Sequence, residues 1–188
     1  MQGLSFSIII IPLIAISLDI LLYFVLLQKA TPKELFKQYV LTLIVLAFLL
    51  NVVWEILQIP LYNGGTYSWS HILFCVLASV ADVIMVFLIY FGFAVLYKDA
   101  LWIQNLNLIR VVFLILTGGI GAVLAEMRHL SIATWSYADA MPVIPILNAG
   151  LSPVLQFMIL PLVICILAFK ITKRYLFRSP QVSGAYNP

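Results

Sequence analysis

Glu126 is followed three residues later by His129, and a second glutamate, Glu55, sits between Asn51 and Gln58 at i, i+4 and i+7. On a helix the second spacing lines acid and amides along one stripe, and Trp54 and Tyr62 flank it. A third such stripe runs His71, Cys75, Ser79 and Asp82, at i, i+4, i+8 and i+11, and a fourth pairs Ser152 with Gln156 at i, i+4. Carboxylic acids beside amides and hydroxyls are suited to general acid–base work: an acid held away from water donates a proton, and a neighbouring carboxylate takes one back. Glu55, Asp82 and Glu126 are the candidate catalytic residues. Asn51, Trp54, Gln58, His71, Ser79, Trp135, Tyr137 and Gln156 are the candidate substrate-binding ones.

These residues lie in a chain that is 64% hydrophobic and 9% charged, with a mean hydropathy of +1.15. A soluble domain of 188 residues has no interior large enough for that much apolar surface, so lipid is its solvent. Five stretches are long and apolar enough to cross a bilayer at ~20 residues each: Phe6–Gln28, Tyr39–Tyr62, His71–Tyr97, Val111–Leu130 and Gly150–Thr172. They predict an all-α bundle of five transmembrane helices in one domain, residues 1–178, with an unstructured tail over 179–188. The first stretch has no basic residue before Lys29, so it reads as a retained helix and not a signal peptide. Every connection is short, which leaves no room for a separate soluble catalytic domain.

Orientation follows from the basic residues. Lys29, Lys33, Lys37, Lys98, Arg110, Lys170, Lys173, Arg174 and Arg178 fall on one side of a five-crossing chain, and Arg128 falls on the other. The positive-inside rule makes the first side cytoplasmic, with the N-terminus outside and the C-terminus inside. The same rule accounts for the net charge of +3, so no nucleic-acid partner is implied. The expected location is an integral one in a membrane of the bacterial inner, plasma-membrane kind.

Depth then groups the acids. Glu55 and Glu126 come late in outward-running spans, and His71, Ser79, Ser152 and Gln156 come early in inward-running ones, so all belong to the outer half; Asp82 and Asp19 lie nearer the middle. A charged carboxylate at the centre of a span costs ~2.5–3.5 kcal/mol, so acids retained there face protein and have a role. If the stripes face one another they line one pocket opening outward or into the outer leaflet. Asp19 shares a face only with Tyr23 and reads as an interhelical contact. Tyr67-Ser-Trp69 and Trp135-Ser-Tyr137 fit an interfacial aromatic belt as well as a binding role.

Other chemistries find little support. The histidines are far apart and no HExxH occurs, so no metal or cofactor is expected. Cys75 and Cys165 lack redox spacing and read as packing residues. Gly118, Gly119 and Gly121 read as a site of close helix approach.

At Asn51-Val-Val-Trp54-Glu55 the chain resembles the integral-membrane terpene cyclases of meroterpenoid pathways, in which a membrane carboxylic acid protonates an epoxide or alkene. Its second half resembles the bacterial lycopene cyclase domain through Glu126, then Trp135-Ser-Tyr137, then Pro153-Val-Leu-Gln156-Phe157. That family carries two glutamates after the proline, where this chain has Leu155 and Gln156, so the acids that the resemblance implies are Glu55 and Glu126. It implies an apolar isoprenoid or lipid substrate. The residues alone also admit an ion- or proton-coupled carrier, one that a homo-oligomer completes, or a non-catalytic subunit of a membrane complex.

Overall fold

A computed structural model describes residues 6–178; the tail over 179–188 lies outside them. The chain is all-helical in its long elements: α1 (Phe6–Lys29), α2 (Lys33–Gln58), α3 (Trp69–Leu96), α4 (Leu108–Ser131) and α5 (Leu151–Arg178). Each is long and apolar enough to cross a membrane, and the protein is an integral membrane protein. The lipid-facing sides show it. Leu13, Ile14, Leu21 and Phe24 of α1 are largely exposed, as are Leu116, Ile120 and Leu124 of α4, an apolar surface suited to lipid.

Local chemistry sets the ends of these helices. Helix α2 begins six residues before the apolar stretch because Pro32 precedes it in an extended conformation and Glu34 and Lys37 pair across its first turn at 2.7 Å. Pro60 turns its far end into a short 3₁₀ segment, Ile59–Leu61. The Ser68 hydroxyl accepts the His71 N–H at the start of α3, and the Asn107 side chain accepts the Arg110 N–H at 2.9 Å at the start of α4.

Alternating crossings gather the basic residues of the α1–α2 and α3–α4 connections and of the end of α5 at one end of the bundle, here the basic end. The opposite end carries the α2–α3 and α4–α5 connections. Helix α2 is central and packs against α3 and α5; α1 lies across α2 and α3, and α4 packs almost wholly on α5. Gly118 explains that last contact: a Cβ there would lie 1.9 Å from the Phe157 carbonyl oxygen, so only glycine permits the approach.

The half of the bundle toward the basic end is filled with apolar and aromatic side chains. Phe36, Tyr39, Leu43 and Ala47 of α2 meet Val86, Tyr90 and Phe93 of α3 and Ile164, Cys165 and Ala168 of α5. Trp102, from a 3₁₀ turn (Trp102–Asn105), closes this core and donates its indole N–H to the Tyr90 carbonyl at 3.2 Å. The Arg110 guanidinium lies 4.2 Å from the centre of the Tyr97 ring and donates to the Trp102 carbonyl at 3.0 Å.

At the opposite end the α4–α5 connection folds back over the bundle. Val143–Ile144 (β1) pairs antiparallel with Ala149–Gly150 (β2), and Tyr62 and Tyr137 form an isolated antiparallel bridge. Asn63 fastens this loop through its backbone N–H to the Ser136 carbonyl at 2.9 Å and its side chain to the Tyr137 carbonyl at 2.7 Å. We refer to this as the hairpin end.

Candidate functional site

Amide and acid side chains from α2, α3 and α5 meet in the half of the bundle toward the hairpin end. Gln156 is fully buried, and its Nε2 donates both hydrogens: one to Asn51 Oδ1 at 2.9 Å, the other to Asp82 Oδ2 at 3.1 Å. Asn51 in turn donates to the Ala47 carbonyl at 2.8 Å. One helical turn toward the hairpin end, Gln58 donates to Glu55 Oε1 at 2.6 Å and accepts from the Ser152 hydroxyl at 2.9 Å. Three helices are thus joined by two rungs, Asp82–Gln156–Asn51 and Glu55–Gln58–Ser152.

Glu126 of α4 approaches from the side and is buried. It accepts hydrogen bonds from the Tyr137 hydroxyl and from the Trp135 indole N–H, the latter at 3.3 Å. The Tyr137 oxygen also accepts the Gly150 N–H at 2.7 Å, so backbone amide, phenol and carboxyl form a chain. The hairpin reaches Glu126 through this chain. Asp82 feels the charges of Glu55 and Glu126, and Glu55 that of Glu126, so the three carboxyls lie within electrostatic reach.

Tyr62 completes the group, and its place was only partly visible in the sequence, where it flanks the α2 stripe. Its ring lies edge-on to Trp135 at 6.2 Å and tilted on Tyr137 at 5.7 Å. Burial holds its phenol far above the ordinary range, and Glu126, Glu55, Tyr137 and Asp82 push it further. Burial and the bond to Glu126 likewise raise Tyr137, against a smaller opposite effect of the Gly150 N–H. Both phenols therefore remain proton donors. The signal that could have found Tyr62 is its i+7 spacing from Glu55, which continues the stripe into the loop.

Several candidates have other partners. His71 bonds through Nδ1 to the Thr66 hydroxyl at 2.9 Å and belongs to the turn that starts α3. Ser79 is buried but returns its hydroxyl to the Cys75 carbonyl at 2.8 Å, within its own helix. Trp54 packs against the apolar core, and its indole nitrogen is buried with no hydrogen-bond partner. The carboxyl of Asp19 has one buried oxygen in the same position. His129 stacks on Trp135 with ring centres 4.3 Å apart.

The polar side chains pack against one another instead of lining an open hollow. Two cavities lie elsewhere: one of about 380 Å³ between α3 and α4, and one of about 170 Å³ at the basic end, lined by Gln38, Thr42, Ile171, Thr172 and Tyr175. Among the described residues, no three histidine, cysteine or acidic side chains are close enough to hold a metal ion. Comparison of the chain with family models, with curated proteins and with solved structures gave no match to any of them.

Proposed function

We propose that this membrane protein is an acid–base enzyme acting on an apolar substrate dissolved in the bilayer. The observation that carries this reading is the gathering of Glu55, Asp82 and Glu126, from three helices, each on an amide or phenol donor of its own, in one half of an apolar bundle. An acid kept at that depth costs stability, and three together cost more, so a chemical role is the reason to keep them. Glu55, oriented by Gln58, donates a proton to an alkene or oxygen of the substrate. Glu126, held by Trp135 and Tyr137, receives the proton that the substrate gives up, and Asp82 tunes the field between them. The faces of Tyr62 and Trp135 offer π-density to a cationic intermediate.

The resemblance to membrane terpenoid cyclases points toward an isoprenoid or similar lipid. Its main departure has a physical reading. Gln156 donates two hydrogens from one nitrogen, whereas a protonated glutamate offers a single O–H, so glutamine at this position joins Asn51 to Asp82 in a way that glutamate could not.

The orientation that we assign places the basic end in the cytoplasm and the hairpin end outside, by the positive-inside rule. The acid group then draws its protons from the extracytoplasmic side. The continuous apolar packing of Leu43, Ala47, Val86 and Ile164 below it favours an enzyme over an ion- or proton-coupled carrier.

A substrate-independent test is to incubate the purified chain with total membrane lipid in heavy water and follow deuterium in the apolar lipid fraction by mass spectrometry. Wild type transfers solvent deuterons into one lipid species, and Glu55→Gln does not, though it folds equally well. No deuterium transfer by wild type, or undiminished transfer by Glu55→Gln, would refute the acid role.

A further inference from the structure

Resting on this reading of the acid group, we infer that the groove between α3 and α4 holds the hydrocarbon tail of a single-chain, uncharged, oxygenated lipid whose polar head lies against Asp82. The groove exists because α4 is drawn onto α5 by Gly118 and leaves α3 in the half toward the basic end. It is a shallow groove of about 380 Å³, open along its length to the lipid. Leu88, Ile89, Gly92, Phe93 and Leu96 line one wall and Thr117 the other, so it accepts hydrocarbon and little else.

Three features connect it to the acids. Asp82, Met85, Ile89, Gly92 and Leu96 follow at i, i+3, i+7, i+10 and i+14, one stripe of α3, so the groove leads along the helix to the carboxyl. Asp82 and Glu55 are both partly exposed, whereas Ser79, one turn further toward the hairpin end, is buried; of the two acids, Asp82 is the one on the groove's own stripe of α3. The flexible Met85 side chain stands between them, its Cε 3.9 Å from where a Gly121 Cβ would be, and yields readily to a ligand. Gly92 leaves the groove wall open: a Cβ there would meet nothing within 4 Å.

Depth selects the ligand. Asp82 is fourteen residues from Leu96, about 21 Å at 1.5 Å per residue, so the polar end of the groove is near the middle of the span. A phospholipid headgroup cannot be desolvated there, but a hydroxyl or carbonyl that hydrogen-bonds a carboxyl can. A long-chain alcohol is the simplest member of the class.

The test is photolabelling of the full chain in lipid nanodiscs with a long-chain alcohol carrying a diazirine at its tail, beside an alkane with the same diazirine and no head. The alcohol should label the α3 segment Leu88–Leu96 saturably, and unlabelled alcohol should compete. Gly92→Phe, and the milder Gly92→Leu, should abolish that labelling while leaving thermal unfolding unchanged. The alkane should label the lipid faces of α1 and α4 without saturation. Alcohol labelling that does not saturate, that spreads over α1 as the alkane's does, or that survives both Gly92 variants overturns the inference and leaves the groove to bulk lipid. The acid role is read separately by deuterium transfer, so either idea falls without the other.

Discussion

Gly118→Ala gives the sharpest expectation, because a single methyl group would meet backbone and not a side chain that can move aside. The added Cβ would lie 1.9 Å from the Phe157 oxygen, where at least 3.0 Å is needed, so α4 must retreat from α5 by about 1.1 Å. Overpacking of this kind costs about 1–3 kcal/mol, and a backbone obstruction belongs at the upper end. Replacing a helical glycine with alanine returns up to about 1 kcal/mol, which leaves a net loss of about 2 kcal/mol. At ~2–4 °C per kcal/mol for a chain of this length, thermal unfolding in mild detergent should fall by about 4–8 °C. Gly121→Ala is the internal control, since its methyl group meets only Met85 Cε at 3.9 Å and should be neutral or mildly stabilising. Equal unfolding temperatures for the two variants would refute the close α4–α5 contact, and with it the path by which Glu126 reaches the other acids.

Three further outcomes follow from the same contacts. Tyr137→Phe removes the oxygen that accepts from Gly150 and donates to Glu126, and should cost about 2–3 kcal/mol in thermal unfolding and speed proteolysis between Ser136 and Asn148. Gln156→Leu strips a donor from both Asn51 and Asp82 and should cost about 2–4 kcal/mol, with Gln156→Glu intermediate because one of the two bonds survives; unfolding curves rank the three. For orientation, a cysteine replacing Asp139 should react with a membrane-impermeant maleimide on intact cells, and one replacing Lys98 only after permeabilisation; the native cysteines are both buried.

The five crossings were legible because mean hydropathy and span length leave a chain of this composition few alternatives. The polar stripes could be read from spacing for the same reason: in an apolar helix every amide or acid is conspicuous. What spacing does not contain is rotation and partner choice. Helix α4 turns toward α5 because Gly118 removes one Cβ, and the open seam beside α3 follows from that contact, which no periodicity displays. His71 looks like a member of the α3 stripe, yet it lies where the helix starts, and Thr66 and Ser68 compete for its ring nitrogen. The hairpin over 143–150 was hidden because its residues are mostly apolar, one of them proline, and resemble membrane surface more than strand. Tyr62 was undervalued because it is the last residue of the expected stretch, past the end of α2 at Gln58, where a helical face is no longer expected to continue.

The packed aromatic and aliphatic floor beneath Asn51 has an energetic corollary. On the proposed function, a proton taken up by this acid group faces apolar packing on the side toward the basic end, so it leaves by the way it came. With the orientation proposed above, transmembrane voltage would then do no work on the cycle, and the rate would follow the acidity of the outside medium while ignoring that of the cytosol. Such a catalyst would run equally well in an energised cell and in a sealed, de-energised vesicle.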